Sequence, residues 1–260
     1  MNPRTKTVLR YVAAGIIAYL LFLVVTLPAA VGYAALQRWT PLAKSVSAQE
    51  LRGSVWSGRA ASVTVGGVEL GSLEWDLSLW SLLLARLGGD VSVARADTRV
   101  AGFVSVGLGN ALHMEDITGV VFAKDLQPLL GHLPVALDGR VGVNLQRVDI
   151  EPGSEIQASG RLAWTGAALT APQAVRLGDL LVELEPTEAG SKAVISDQGG
   201  GPLQAEGIAE LKHDGNYSIN AKLGTRASAQ PELSSALKLL GRQDRDGGVA
   251  VKMNGKLRGW

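Results

Sequence analysis

The chain carries three histidines and no cysteine, which narrows the chemistry open to it. Without a thiol, nucleophilic catalysis would need a serine or threonine beside a histidine base. His113, His132 and His213 are isolated in sequence, and none sits in a Ser/His/acid pattern. His213 opens the turn signal His213-Asp214-Gly215-Asn216 and reads as an exposed polar turn residue; His132, after Gly131, reads the same way. His113-Met114-Glu115-Asp116 is the one local cluster of metal-ligand types. In a strand His113 and Glu115 share a face, but two ligands rarely hold a metal. Glu183 and Glu185 lie on the polar side of a strand pattern, where solvation accounts for them. Gly107-Leu108-Gly109-Asn110 lacks the third glycine and the following helix of a dinucleotide turn, and no Walker-type loop is present. The expectation is therefore no catalytic residue, no metal and no cofactor.

The elements that would position any site read mainly as strands. Hydrophobic residues make up 47% of the chain and recur with period two, which excludes disorder. Ala61, Val63 and Val65 alternate with Ser62 and Thr64, and Leu73, Trp75 and Leu77 with Glu74 and Asp76. Val141, Val143 and Leu145 do the same, as do Ile156, Ala158, Leu162 and Trp164, and then Val249, Val251, Met253 and Leu257. The clearest hairpin runs Leu203–Lys212, then an Asp-Gly turn, then Tyr217–Leu223. Such alternation predicts an antiparallel sheet wetted on one side, with its 32 glycines serving turns, bulges and bends. Three stretches read as helical: Leu77–Leu87, Asp125–His132 and Pro231–Leu240. Trp56, Trp75 and Trp80 read as filling between helix and sheet.

Before the strands comes a run of 27 residues without charge, Tyr11–Gln37, between Arg10 and Arg38. About 20 apolar residues suffice to cross a bilayer as a helix. Arg4, Lys6 and Arg10 precede the run and no acidic residue occurs before Glu50, so the N-terminus is expected in the cytoplasm and the rest on the far side of the membrane. Arg10, Arg38 and Trp39 fit the membrane interface. The competing reading is a cleaved signal peptide, but such cores span about 7–15 residues and this run is longer. The division is then 1–10 cytoplasmic, 11–36 a transmembrane helix, 37–50 a linker and 51–260 a periplasmic β domain. A net charge of +1 shows no nucleic-acid footprint, and the lack of cysteine excludes disulfide scaffolds.

An internal echo joins Gly53–Gly58 to Gly160–Gly166 and Val68–Leu73 to Val175–Leu180, with a looser one from Leu126–Leu145 to Leu237–Leu257. It divides the β domain into halves of about 51–155 and 156–260. The predicted fold is a single N-terminal transmembrane helix followed by a curved, repetitive antiparallel sheet, an open half-barrel with a few short helices. Its apolar face gives a candidate groove of Val63, Val65, Leu73, Val143, Leu145, Leu162 and Val251.

The order of several segments resembles a known family. An anchor ending Leu27-Pro28-Ala29 precedes Leu51-Arg52-Gly53-Ser54-Val55-Trp56-Ser57-Gly58-Arg59-Ala60. Leu73-Glu74-Trp75-Asp76-Leu77, Leu133-Pro134 with Asp138-Gly139, Gly160–Trp164, and Leu239-Leu240-Gly241 with Asp246-Gly247-Gly248 follow. Together they resemble protein N of the bacterial general (type II) secretion pathway. The resemblance implies an inner-membrane accessory protein that supports export of folded proteins through contacts with other secretion-system envelope proteins, and it carries no catalytic residues. The organisation is also similar to the N-terminal part of AsmA-like proteins, with an anchor and a repetitive sheet bearing an apolar groove. On that likeness the alternative is an envelope protein that binds or transfers lipid.

Overall fold

The computed structural model describes residues 3–39, 46–65, 68–78, 86–107, 109, 111–130, 136–151, 155–171, 173–240 and 248–256. Within these residues the alternating segments form one large, open, antiparallel sheet of 14 strands. These are β1 (Val46–Gln49), β2 (Arg52–Gly53), β3 (Ser57–Val65), β4 (Val68–Leu77), β5 (Arg86–Arg95), β6 (Thr98–Gly107) and β7 (Leu112–Phe122). Then come β8 (Ala136–Glu151), β9 (Glu155–Ala171), β10 (Val175–Thr187), β11 (Gly190–Asp197), β12 (Leu203–Lys212), β13 (Asn216–Thr225) and β14 (Val249–Lys256). From β3 to β14 the chain is a meander, each strand beside its sequence neighbours; β1 and β2 both lie on the outer side of β3.

The element order runs twice. Five strands, β3 to β7, lead into a 3₁₀ helix (Ala123–Leu130) and then β8; five more, β9 to β13, lead into α3 (Pro231–Leu240) and then β14. Gly71 and Gly178, 107 residues apart, both have positive φ (95° and 105°), each near the start of its strand. The halfway point is no gap, because β8 and β9, the longest strands at 16 and 17 residues, pair along most of their length. Register shifts interrupt the β3/β4, β6/β7, β8/β9 and β9/β10 ladders, and such bulges bend and twist strands.

No second layer covers the sheet among the described residues. A cluster of Val175, Leu203, Ala205 and Val249 lies under Leu233 and Leu237 of α3, and Val249 is the largest fully buried side chain among the described residues. α3 forms where expected: Pro231 opens it, and Leu233 and Leu237, four residues apart, share its buried side. The 3₁₀ helix matches the expected turn of helix from Asp125, while His132 lies outside the described residues. The leucine-rich stretch expected as a helix from Leu77 to Leu87 is strand at both ends, in β4 and β5; residues 79–85, with Trp80, lie outside the described residues. Gly88 and Gly89, just past that stretch, sit within β5.

The N-terminal run is two helices rather than one over 11–36: α1 (Pro3–Val25) and α2 (Ala29–Trp39). Pro28 is the cause, since it has no N–H for the carbonyl of residue 24 and its ring crowds that turn. No helix among the described residues is long and apolar enough to cross a membrane; in α1 the side chains of residues 3–10, 13, 17 and 21 lie outside them. The expected linker 37–50 includes the end of α2 and all of β1.

Candidate functional site

The break at Pro28 is filled by the segment that follows β2. The Trp56 indole N–H donates to the Val24 carbonyl at 2.7 Å, the group that a helical N–H at residue 28 would have taken. Val55 N–H donates to the Leu27 carbonyl at 2.8 Å, and Pro28 bridges to Ser54. Ser54 Oγ accepts from the N–H groups of Trp56 and Ser57, which holds the tight turn after Gly53 (φ 90°). The Trp75 indole donates to the Val55 carbonyl at 3.0 Å. These bonds latch the helices to the first strands. Trp56 and Trp75, expected as filling between helix and sheet, are hydrogen-bonded latch residues.

The register of the sheet places the candidate groove residues on one face. Leu73 faces Val93 on β5, Val93 faces Val100 on β6, and Val100 faces Gly119 on β7, which faces Val143 on β8. Val143 faces Leu162 on β9, followed by Val182, Ile195, Gly207, Ala221 and Val251 on β10 to β14. Four of the seven candidates, Leu73, Val143, Leu162 and Val251, therefore stand in one cross-strand row. A second row runs beside it, two residues along each strand, from Trp75 and Val91 through Ile117, Leu145, Gly160 and Leu184 to Ile219 and Met253. It holds Leu145. Val63 pairs with Gly71, two residues from Leu73, on the first row's other flank, and Val65 lies 39% exposed at the hairpin end. Both rows consist of apolar residues and glycine.

One residue further along each strand the chemistry reverses. Arg59, Glu74 and Ser92 stand in register, as do Thr118, Asn144, Arg161 and Glu183. Arg161 Nε meets Glu183 Oε1 at 2.9 Å on this wet side, so the expected solvated reading of Glu183 acquires a cross-strand ion pair. Arg52, Arg59, Glu74, Asp76 and Asp90 line an open cleft toward β2.

The histidines are less isolated in space than in sequence. Ser105, His113 and Asp149 are cross-strand neighbours on β6, β7 and β8, and His113 Nδ1 lies 2.7 Å from Asp149 Oδ1. Among the described residues no hydrogen bond joins Ser105 to His113, and Ser105 is only 8% exposed, so a nucleophile–base pair is not assembled. Glu115 turns to Arg147 at 3.6 Å, and no group of three or more metal-ligand types occurs among the described residues. Both members of the His113–Asp149 pair are about a quarter exposed. Asp149→Ala should therefore cost about 1 kcal/mol, measured as a shift of the urea midpoint; an unchanged midpoint would mean water replaces the carboxylate. His213 is half-buried rather than exposed, with Nε2 2.8 Å from the Glu188 carbonyl in the preceding hairpin turn.

The two ends of the sheet differ. The Tyr33 hydroxyl of α2 donates to the Val46 carbonyl at 2.8 Å and accepts from Ala48 N–H at 3.1 Å, which closes the outer edge of β1. At the other end β14 pairs with β13 alone among the described residues, and its Lys252 and Lys256 are exposed. Of the expected membrane-interface residues, Arg38 is exposed in the last turn of α2. Arg10 lies in α1 and Trp39 ends α2, with side chains outside the described residues.

Comparison with known proteins places this architecture. Residues 44–252 match the family model described as type II secretion system (T2SS), protein N, a span from just before β1 into β14. The chain is 29% identical over 242 residues to the type II secretion system protein N of Vibrio cholerae serotype O1, covering 90% of this chain and 92% of that protein. It is 29% identical over 250 residues to the protein of the same name from Aeromonas hydrophila, covering 93% and 96%. For the Klebsiella pneumoniae protein the figures are 26% over 209 residues, 78% and 81%. No solved structure matches. A match that takes in nearly the whole sheet decides the family: this chain belongs to the type II secretion system protein N family.

Proposed function

We propose that the protein is an accessory inner-membrane component of the type II secretion system, supporting export of folded proteins across the outer membrane by contacts in the periplasm. The observation that carries this reading is the inequality of the sheet's ends. The N-terminal edge is closed by Tyr33, whereas β14 has no partner strand on its outer side among the described residues. A strand edge pairs readily with an extended segment of another protein. Lys252 and Lys256, with no acidic residue in β14, favour an acidic segment of another secretion-system envelope protein. The role is assembly rather than catalysis.

The single-pass anchor is part of the proposal. α1 has 23 residues, about 35 Å at 1.5 Å each, against about 30 Å of hydrocarbon. Tyr11, Ile16, Tyr19, Leu20 and Phe22 are all more than half exposed, as side chains facing lipid would be. The basic residues before Tyr11 favour a cytoplasmic N-terminus.

Deleting the gene should lower the release of secreted enzymes into the medium several-fold. Restoring the wild-type chain should recover it, and K252E/K256E at equal abundance should not. Secretion at the parental level in the deletion strain would overturn the proposal. A second reading, lipid binding by the apolar face, is favoured by the unbroken row from Leu73 to Val251.

A further inference from the structure

We infer that the two apolar rows form a path for lipid acyl chains, entered at the membrane-proximal strands and ended by α3. This deepens the lipid reading just given and takes α1 as the anchor. Both rows cross from β4 to β14 without a charged, hydroxyl or amide side chain, about 50 Å at 4.8 Å per strand. A sheet face of this kind has to be covered by something. Among the described residues the helices cover only its flank. The 3₁₀ helix is tied to Thr98 through Asp125 at 2.8 Å, and α3 packs over Ala205, Leu223 and Val249, all in the row on the far side of the first.

The position of the rows indicates where chains enter. Trp75, which starts the second row, bonds to Val55, and Val55 bonds to Leu27 at the end of α1, so the path begins beside the anchor. At the other end Val251 packs against the α3 cluster, which closes the first row.

The chemistry selects the occupant. The strand backbones are engaged in the sheet ladder, the Trp75 indole N–H is taken by the Val55 carbonyl, and no other side chain of the two rows carries an N–H or O–H donor or an oxygen acceptor. An extended peptide laid on this face would lose hydration of its own amides without compensation. A straight amphipathic helix satisfies its backbone but cannot follow a row that turns by about 20° per strand over this many strands. Flexible acyl chains need no hydrogen bond and can follow the twist.

The test places p-benzoylphenylalanine in the full chain at Val100, Val143, Leu162 or Ile195, and on the opposite face at Thr118 or Asn144. Photolysis is done in cells, and also on purified chain mixed with phosphatidylethanolamine–phosphatidylglycerol vesicles; adducts are identified by mass spectrometry. Lipid adducts are expected several-fold above the two opposite-face positions at all four row positions. Leu162→Gln, which puts a polar group in the middle of the first row, should keep the adduct at Val100 and lose it at Ile195. No lipid adduct in either setting, protein adducts alone, or equal labelling of both faces overturns lipid binding by the rows. Lipid adducts at every row position that survive Leu162→Gln at Ile195 overturn the directed path and leave lipid binding standing. Membrane pelleting of the same cells scores the anchor separately.

Discussion

Gly160→Val should destabilise the sheet by about 2–6 kcal/mol, combining backbone strain of about 1–3 kcal/mol with overpacking of about 1–3 kcal/mol. Gly160 sits in β9 with φ 144°, where an added Cβ would meet the Asn144 carbonyl and the Leu145 Cα. Those are backbone atoms of β8, so no rotamer change relieves the contact. The position lies beside a register shift in the longest strand pair and in the second apolar row. Gly166, six residues on, also has positive φ (62°) but open space around its Cβ position. Gly166→Ala should therefore lose only about 1 kcal/mol. Urea unfolding of the detergent-purified chain measures both; equal losses would show that the contact with β8 is not the cause.

Arg226→Ala should cost about 2–4 kcal/mol, below the 3–5 kcal/mol of a fully buried pair because the Arg226 side chain is 32% exposed. Arg226 Nη1 donates to the carbonyls of Gly201 (3.1 Å) and Leu203 (2.7 Å), and Nη2 to Asp197 Oδ1. Asp197 also accepts from Gly199 N–H and Ala205 N–H, each at 2.9 Å. The pair thus clamps the β11–β12 connection and sets Leu203 and Ala205 beneath α3. Burial pushes the Asp197 carboxyl up, but the Ala205 N–H, the Arg226 guanidinium and the Gly199 N–H outweigh it and hold the group below its ordinary value. The folded state therefore binds this proton less readily than the unfolded chain. Its contribution is fully present above the ordinary aspartate value of about 3.9 and is lost as pH falls through the folded one. Stability followed from pH 6 downward should fall less steeply in Arg226→Ala than in wild type; parallel curves would exclude the clamp as the source.

Features that depend on neighbouring residues are legible in the amino-acid order alone. The Asp-Gly hairpin of β12 and β13 and the spacing of Leu233 and Leu237 in α3 need only period and turn chemistry. The seven groove candidates are legible as inward by alternation, yet the row from Leu73 to Val251 depends on the register of eleven strands, shifted by bulges such as that at Asp116 (φ 51°). The Ser105–His113–Asp149 adjacency is hidden for the same reason: residues 8 and 36 apart meet only once the meander is known. Leu77 and Leu87, read as the ends of a helix, lie in β4 and β5, because an apolar residue at a strand end beside paired glycines fits a helical pattern as well. The Pro28 break is open to reading, since counting charges over 11–36 leaves out the missing N–H; its satisfaction by Trp56 is not, being a contact across 32 residues.

The latch at Val24, Leu27 and Pro28 makes the sheet a beam bolted at one end. A flexible tether would let the free end wander over a volume set by chain entropy. Here the distance from bolt to tip is counted in strands, each adding about 4.8 Å. Inserting or deleting one hairpin would move the tip by about 10 Å without altering the chemistry of either end. Reach is thus an inherited length that evolution can adjust in steps of two strands.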